Sequence, residues 1–197
     1  MKLRSALCLG AMALPPAALA APETYSMDPQ HSFLHFDVAY GNGTSKLSGR
    51  FDRVTGKFVI DRAAGTGRLD VAVQAASITT GDVDKGGRPH SRDGHLRSPD
   101  FLDVAEFPTM TFKSTKVLFK DDAPSRIEGN MTLLGVTRPV TFAVDHWKCA
   151  PQPATGKMMC GANAYTTIRR SDFGMKFGIP AIADEQSLWI EVHAYRD

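Results

Sequence analysis

The sequence predicts a single all-β domain, an antiparallel barrel or sandwich of about eight strands. Three observations carry that expectation. Apolar residues recur with a period of two in stretch after stretch, the mark of a strand with one buried face. Glycine, proline and aspartate interrupt those stretches at intervals of roughly ten to twenty residues, as hairpin turns require. Only one or two segments read as helical, chiefly a short polar insert near residues 82–103. A length of 197 residues suits one domain. The two late cysteines lie too close together for an immunoglobulin-type sandwich, which sets its cysteines on opposite sheets around a tryptophan.

The N-terminus is separate from that pattern. Lys2 and Arg4 precede an apolar run from Leu7 to Leu14, and Ala18-Leu19-Ala20 gives a small-x-small cleavage pattern. Residues 1–20 therefore read as a cleaved secretory signal, leaving one domain over 21–197. Pro15-Pro16 breaks the run, which is too short for a stable membrane span. The expected compartment is the periplasm or the exterior. Cleavage removes two basic residues and no acid, so the formal charge falls from +2 to zero. A neutral protein has no electrostatic case for nucleic acid. Cys149 and Cys160 then remain as an even pair in an exported chain, and a disulfide across a hairpin tip is expected.

In chain order, Ser32 to Tyr40 alternates, with Leu34, Phe36, Val38 and Tyr40 on one face. Gly41-Asn42-Gly43 turns the chain into Lys46 to Phe51. Thr55-Gly56 reads as the next turn, leading into Lys57 to Asp61. Arg68 to Ala76 is the cleanest strand, with Leu69, Val71, Val73 and Ala75 facing one way. The insert follows, rich in charge and without alternation. Met110 and Phe112 begin a new strand that runs through Val117 to Phe119. Ile127, Gly129, Met131 and Leu133 share the next face. After a tight connection at Gly135 come Val140, Phe142 and Val144, the cysteine hairpin, and Ala162 to Ile168. An irregular stretch, Asp172 to Asp184, precedes the last face of Leu188, Ile190, Val192 and Ala194.

These inward faces are aliphatic and aromatic with almost no charge. They suit a filled core and equally an apolar cavity, whose occupant would be lipid-like. Catalytic constellations are weak by comparison. Ser91, Ser98 and Ser171 lie near acids or histidines, but none sits in a Gly-x-Ser-x-Gly elbow. His31 and His35 could share a face, and His90 and His95 could meet in the insert, yet no His-Glu-x-x-His zinc pattern occurs and no metal is expected. Trp147 and Trp189 are expected to pack rather than to stack on sugar. Two polar clusters remain: Arg92 to Ser98, and Arg169 to Gly174. Their charges are expected to pair mainly with Asp93, Asp100, Asp103 and Asp172. At a barrel rim, Arg92, His95 and Arg170 would be placed for a ligand's polar head.

The residues resemble the YceI-like family. Asp28-x-x-His31-Ser32 looks like its opening motif. Arg92-Asp93-x-His95-Leu96-Arg97-Ser98-x-Asp100-Phe101-x-Asp103, then Phe107-Pro108 and Phe112, looks like its central one. Gly129-x-Met131-Thr132-Leu133-x-Gly135-Val136-Thr137-x-Pro139-Val140 and Arg170-Ser171-Asp172-Phe173-Gly174 resemble the two later ones. Together they span about residues 25 to 195 in the family's order. The resemblance implies an exported, lipocalin-like antiparallel β-barrel that holds a polyisoprenoid or other long-chain lipid in an elongated apolar cavity. It implies no established catalysis and no cofactor, a quinone tail being a plausible passenger and a homodimer compatible. The cavity would be lined by Leu34, Phe36, Val38, Leu69, Val71, Val73, Met110, Phe112, Met131, Leu133, Phe142, Val144, Leu188, Ile190 and Val192. The Cys149–Cys160 hairpin departs from the general family pattern, and Leu102 stands where an aromatic is frequent. Two other readings stay open. One is an enzyme acting on a lipid- or quinone-like substrate through the Arg92–His95 and Arg170–Asp172 clusters. The other is a structural or stress-related barrel with a filled core.

Overall fold

The computed structural model describes residues 21–197; the expected signal segment lies outside them. Eleven strands run in order as β1 Glu23–Met27, β2 Phe33–Tyr40, β3 Ser45–Phe51, β4 Val54–Asp61, β5 Thr66–Gln74, β6 Ile78–Thr79, β7 Thr109–Lys120, β8 Ala123–Leu133, β9 Val136–Pro151, β10 Met158–Arg169 and β11 Ile182–Arg196. Among the described residues the one α-helix, α1, is Arg92–Leu96 in the insert. Every strand pairing is antiparallel.

The eleven segments form a closed barrel of eight strands. The last strand, β11, pairs with β10 on one side; its other side takes β2 over Ile182–Glu191 and β1 over Ala194–Arg196. Strands β1 and β2 are thus two halves of one barrel strand. In the same way β4 and β3 pair with β1 and β2, and β5 and β6 pair with β4 and β3. Closure removes the free edges that an open sheet would expose.

Each interruption has a local cause. Between β1 and β2, the Asp28 carboxylate accepts from the Gln30 N–H at 2.9 Å and folds the chain into a turn. Buried Ser32 repairs the ladder there: its hydroxyl donates to the His193 carbonyl and accepts from the His193 N–H, each at 3.2 Å. Between β3 and β4 the bend falls at Asp52–Arg53, not at Thr55-Gly56 as the sequence suggested. Gly56 lies inside β4, and a Cβ on it would stand 2.5 Å from the Asp70 carbonyl oxygen and 2.8 Å from Met27 Sδ. The glycine serves close strand packing there, not a reversal.

Cys149 and Cys160 are direct partners across β9 and β10 and form a disulfide. Closing so short a loop stabilises by about 3 kcal/mol in the chain-entropy picture. Denatured, unreduced protein made without residues 1–20 is expected to show no reactive thiol, and two thiols would refute the bridge.

Candidate functional site

The alternation determines which side chains point inward, and the barrel decides what they enclose. Two compartments lie end to end. One, of about 100 Å³, is walled almost wholly by apolar atoms, including Phe58, Leu69, Val71, Val73, Phe112, Phe142, Val144, Trp147, Ile190 and Val192. The other, of about 690 Å³, lies toward the insert and includes Phe36, Val38, Leu133, Ile168, Met175 and Phe177 in its wall. Leu34, Met110, Met131 and Leu188 line both and form a waist between them. The fifteen side chains expected in the cavity wall each border one compartment or both, whereas Ala75, Val140 and Ala194 on the same alternating faces border neither. The larger volume is typical of a small-molecule site.

Space for the aromatic walls comes from glycine. Gly129 on β8 carries no side chain, and a Cβ there would meet the Phe112 ring at 2.5 Å and the Lys113 carbonyl at the same distance. The ring packs against the glycine at a distance that any larger residue would close.

The insert closes one end of the barrel. Ser91 caps α1 by accepting from the Gly94 N–H at 3.0 Å. Phe101 and Leu102 are buried, and Leu96 packs against the core from a half-buried position. The acceptable aliphatic at position 102 follows from that burial: the side chain fills core and needs no ring. The charges of the insert divide: Arg88 and Arg92 pair with Asp82, and His95 with Asp100, inside it as expected, whereas Asp93 and Arg97 turn away from the other charges. Buried Asp93 accepts from the Thr80 N–H at 2.8 Å and the Thr80 hydroxyl at 2.6 Å. Arg97 donates to the carbonyls of Ala76 at 2.9 Å and Ile78 at 2.6 Å. Both therefore fasten the insert to the end of the β5–β6 strand, where the ladder has run out and backbone groups need partners.

The larger compartment, uppermost when the insert end points up, has basic side chains in its wall: Lys46, Arg88, Arg92 and Arg170, with His90 and His95. Arg92 lies 3.8 Å from Asp82, which also takes a two-pronged contact from Arg88. His95 contacts Asp100 at 2.8 Å through Nε2 and packs edge-on to Phe101 and Phe177. His90 and His95 do meet, with ring centroids 4.2 Å apart. His31 and His35 do not: His31 contacts Asp28, whereas His35 stacks on Trp189 at 3.6 Å on the outer wall. Trp147 packs edge-on to Phe58 inside.

The second polar cluster is organised differently from the sequence expectation. Its carboxylate is Asp184, not Asp172. Asp184 accepts from the Ser171 N–H at 2.8 Å and the Ser171 hydroxyl at 2.7 Å, and pairs with Arg169 at 3.0 Å. Asp172 instead offers its backbone carbonyl to Arg138. Arg170 is buried and donates to the carbonyls of Ala183 at 2.9 Å, Ile182 at 3.1 Å and Phe177 at 3.3 Å. Burial pushes its guanidinium pKa down, opposed by the nearby Asp184 charge. The three serines near acids or histidines all hold loop backbone or Asp184; Ser98 Oγ donates to the His95 carbonyl, not to its ring. No hydroxyl–imidazole pair of the hydrolase kind is assembled from them.

Burial works to raise the Asp184 pKa, but the Ser171 and Arg169 donors outweigh it and the net direction is down. A carboxylate lowered in the folded state stabilises fully above its unfolded pKa, and that contribution drains as pH falls through the folded value. Melting temperature is expected to hold down to about pH 4 and to decline below it. Asp184→Asn should flatten part of that decline. Identical acid slopes for variant and wild type would remove Asp184 from the account.

Several wall residues escaped the sequence reading. Phe58 and Ile60 alternate within β4 and were legible as inward. Met175 and Phe177 sit in the irregular stretch before β11, where no period marks a face.

A closed antiparallel barrel with an apolar interior and a polar mouth places the chain among the lipocalin-like folds. The particular lineage follows from comparison. The YceI-like domain family matches residues 25–194. The chain is 34% identical over 197 residues to a UPF0312 protein of Pseudomonas aeruginosa, covering 99% of this chain and 98% of that one. Among solved structures, the YceI protein of Campylobacter jejuni superposes with a TM-score of 0.63 at 27% identity, covering 78% of this chain and 86% of that one. A polyisoprenoid binding domain from Saccharophagus degradans, implicated in plant cell wall breakdown, superposes with a TM-score of 0.61 at 19% identity, covering 88% and 98%. The chain belongs to the YceI-like family.

Proposed function

We propose that the chain is an exported carrier for a polyisoprenoid or other long-chain amphiphile, including a quinone with an isoprenoid tail. The observation that carries this reading is the pair of end-to-end compartments sharing the waist of Leu34, Met110, Met131 and Leu188. Apolar walls on that scale suit an extended hydrocarbon, each buried methylene contributing about 0.8 kcal/mol. The name of the Saccharophagus degradans domain points to the same ligand class. A filled-core barrel is disfavoured by the about 690 Å³ of open interior. The polar groups of Arg97, Asp93, Ser98 and Ser171 hold backbone and neighbouring loops, which favours a binding protein over an enzyme.

Native mass spectrometry of protein purified from its exported location tests the reading. The chain is expected to begin at Ala21 and to carry a long-chain adduct that solvent extraction removes and added isoprenoid restores. Repeated preparations that carry no lipid and take up none would sink it.

A further inference from the structure

We propose that the passenger ends in an anionic oxygen head, a carboxylate or a phosphate, and that the Arg170 guanidinium is its seat. This rests on the carrier reading and adds the chemistry of the ligand's polar end. Arg170 lines the upper compartment but is only 2% exposed. Its Nε and Nη2 donors are given to three backbone carbonyls. Its Nη1 is buried with no acceptor. Among the described residues no carboxylate lies within ion-pair distance of it, because Asp184 is taken by Arg169 and Ser171.

A buried guanidinium with a free N–H pair and no counter-ion lacks two things at once. A neutral acceptor supplies the hydrogen bond alone. An anionic oxygen supplies the hydrogen bond and the charge, and the planar fork suits a carboxylate or a phosphate. The other cations in the compartment wall are already paired, Lys46 with Asp37 and both Arg88 and Arg92 with Asp82, which leaves Arg170 as the wall cation without a carboxylate in contact among the described residues.

Access requires one movement, and the structure indicates where. The 3.3 Å contact to the Phe177 carbonyl is the longest of the three that Arg170 makes. The turn bearing it is framed by Gly174 and Gly178, both at positive φ, and its Phe177 ring is 44% exposed. An arriving head takes Nη1 and displaces this turn, while the contacts to Ala183 and Ile182 keep the guanidinium in place.

The test uses four probes in two matched pairs: palmitate with hexadecanol, and geranylgeranyl phosphate with geranylgeraniol. Wild type is expected to bind at least one acid about tenfold or more tighter than its alcohol at neutral pH, a charged hydrogen bond being of that order. In folded Arg170→Gln the ratio should fall toward one. Which pair shows the larger ratio distinguishes carboxylate from phosphate. Equal binding of acids and alcohols by wild type overturns the proposal and leaves the carrier reading standing; binding of none of the four overturns both. A preference that survives in folded Arg170→Gln moves the head to the rim and also overturns it. Where that variant does not fold, wild type loaded with carboxyl-labelled palmitate carries the test. The bound carboxyl is expected to titrate below its ordinary range, and an unshifted titration overturns the seat.

Discussion

Leu188→Trp is expected to cut uptake of a sixteen-carbon chain by roughly two hundredfold while leaving the barrel folded. Leu188 is 4% exposed, comes from β11 and borders both compartments. An indole there fills the waist between Met110 and Met131. A chain that threads the waist buries its end in the smaller compartment, whose roughly 100 Å³ takes about four methylenes, so stopping it at the waist costs about 3 kcal/mol at 0.8 kcal/mol each. The same ring strains the packed wall by about 1–3 kcal/mol, so the melting temperature should drop without loss of the cooperative transition. An eight-carbon chain fits the larger compartment alone, and its affinity should change little. Affinities for the two chain lengths, measured side by side in both proteins, check the argument. Undiminished binding of the long chain by folded Leu188→Trp would show that the ligand never passes the waist.

The second large effect falls on the insert. Asp93→Ala is expected to destabilise the protein by about 2–3 kcal/mol and to expose the 80–103 segment to protease. The Asp93 side chain is fully buried, and its Oδ1 takes both donors of Thr80. Alanine leaves those donors without their acceptor at a half-buried threonine. Asp93→Asn keeps an oxygen at the same place and should recover much of the loss. Urea unfolding followed by circular dichroism measures the free energies, and limited proteolysis reports on the insert. A wild-type midpoint for Asp93→Ala would show that the clasp is held by Arg97 and by Phe101 with Leu102 instead.

These two predictions separate the residues that the sequence exposes from those it conceals. Leu188 was legible because β11 alternates without interruption. Asp93 is visible only as one charge in a charged run, where a neighbouring cation is the expected partner. Its actual partner is a threonine thirteen positions earlier. Arg97 is displaced in the same way. Both side chains answer to backbone left unpaired at the end of β6, and nothing local in a sequence says where a ladder will run out. The same holds for Asp184 displacing Asp172 as the carboxylate of the Arg169–Ser171 cluster. A glycine is ambiguous in the same way. Gly56 reads as a turn from its neighbours, yet its place is against the Asp70 carbonyl.

By itself the sequence determined the all-β class, the inward faces of most strands, the cysteine pair and the motifs that the YceI-like family shares. Side-chain direction along a strand is a covalent property with a period of two, so it survives without any knowledge of neighbours. Only the tertiary structure decided that eleven segments make eight barrel strands, that four side chains from β2, β7, β8 and β11 meet as a waist, and that Arg170 is surrounded by carbonyls rather than carboxylates. Those are facts of closure. They depend on which residues far apart in the chain arrive at one level of the barrel, and strand register fixes that only when every pairing is made.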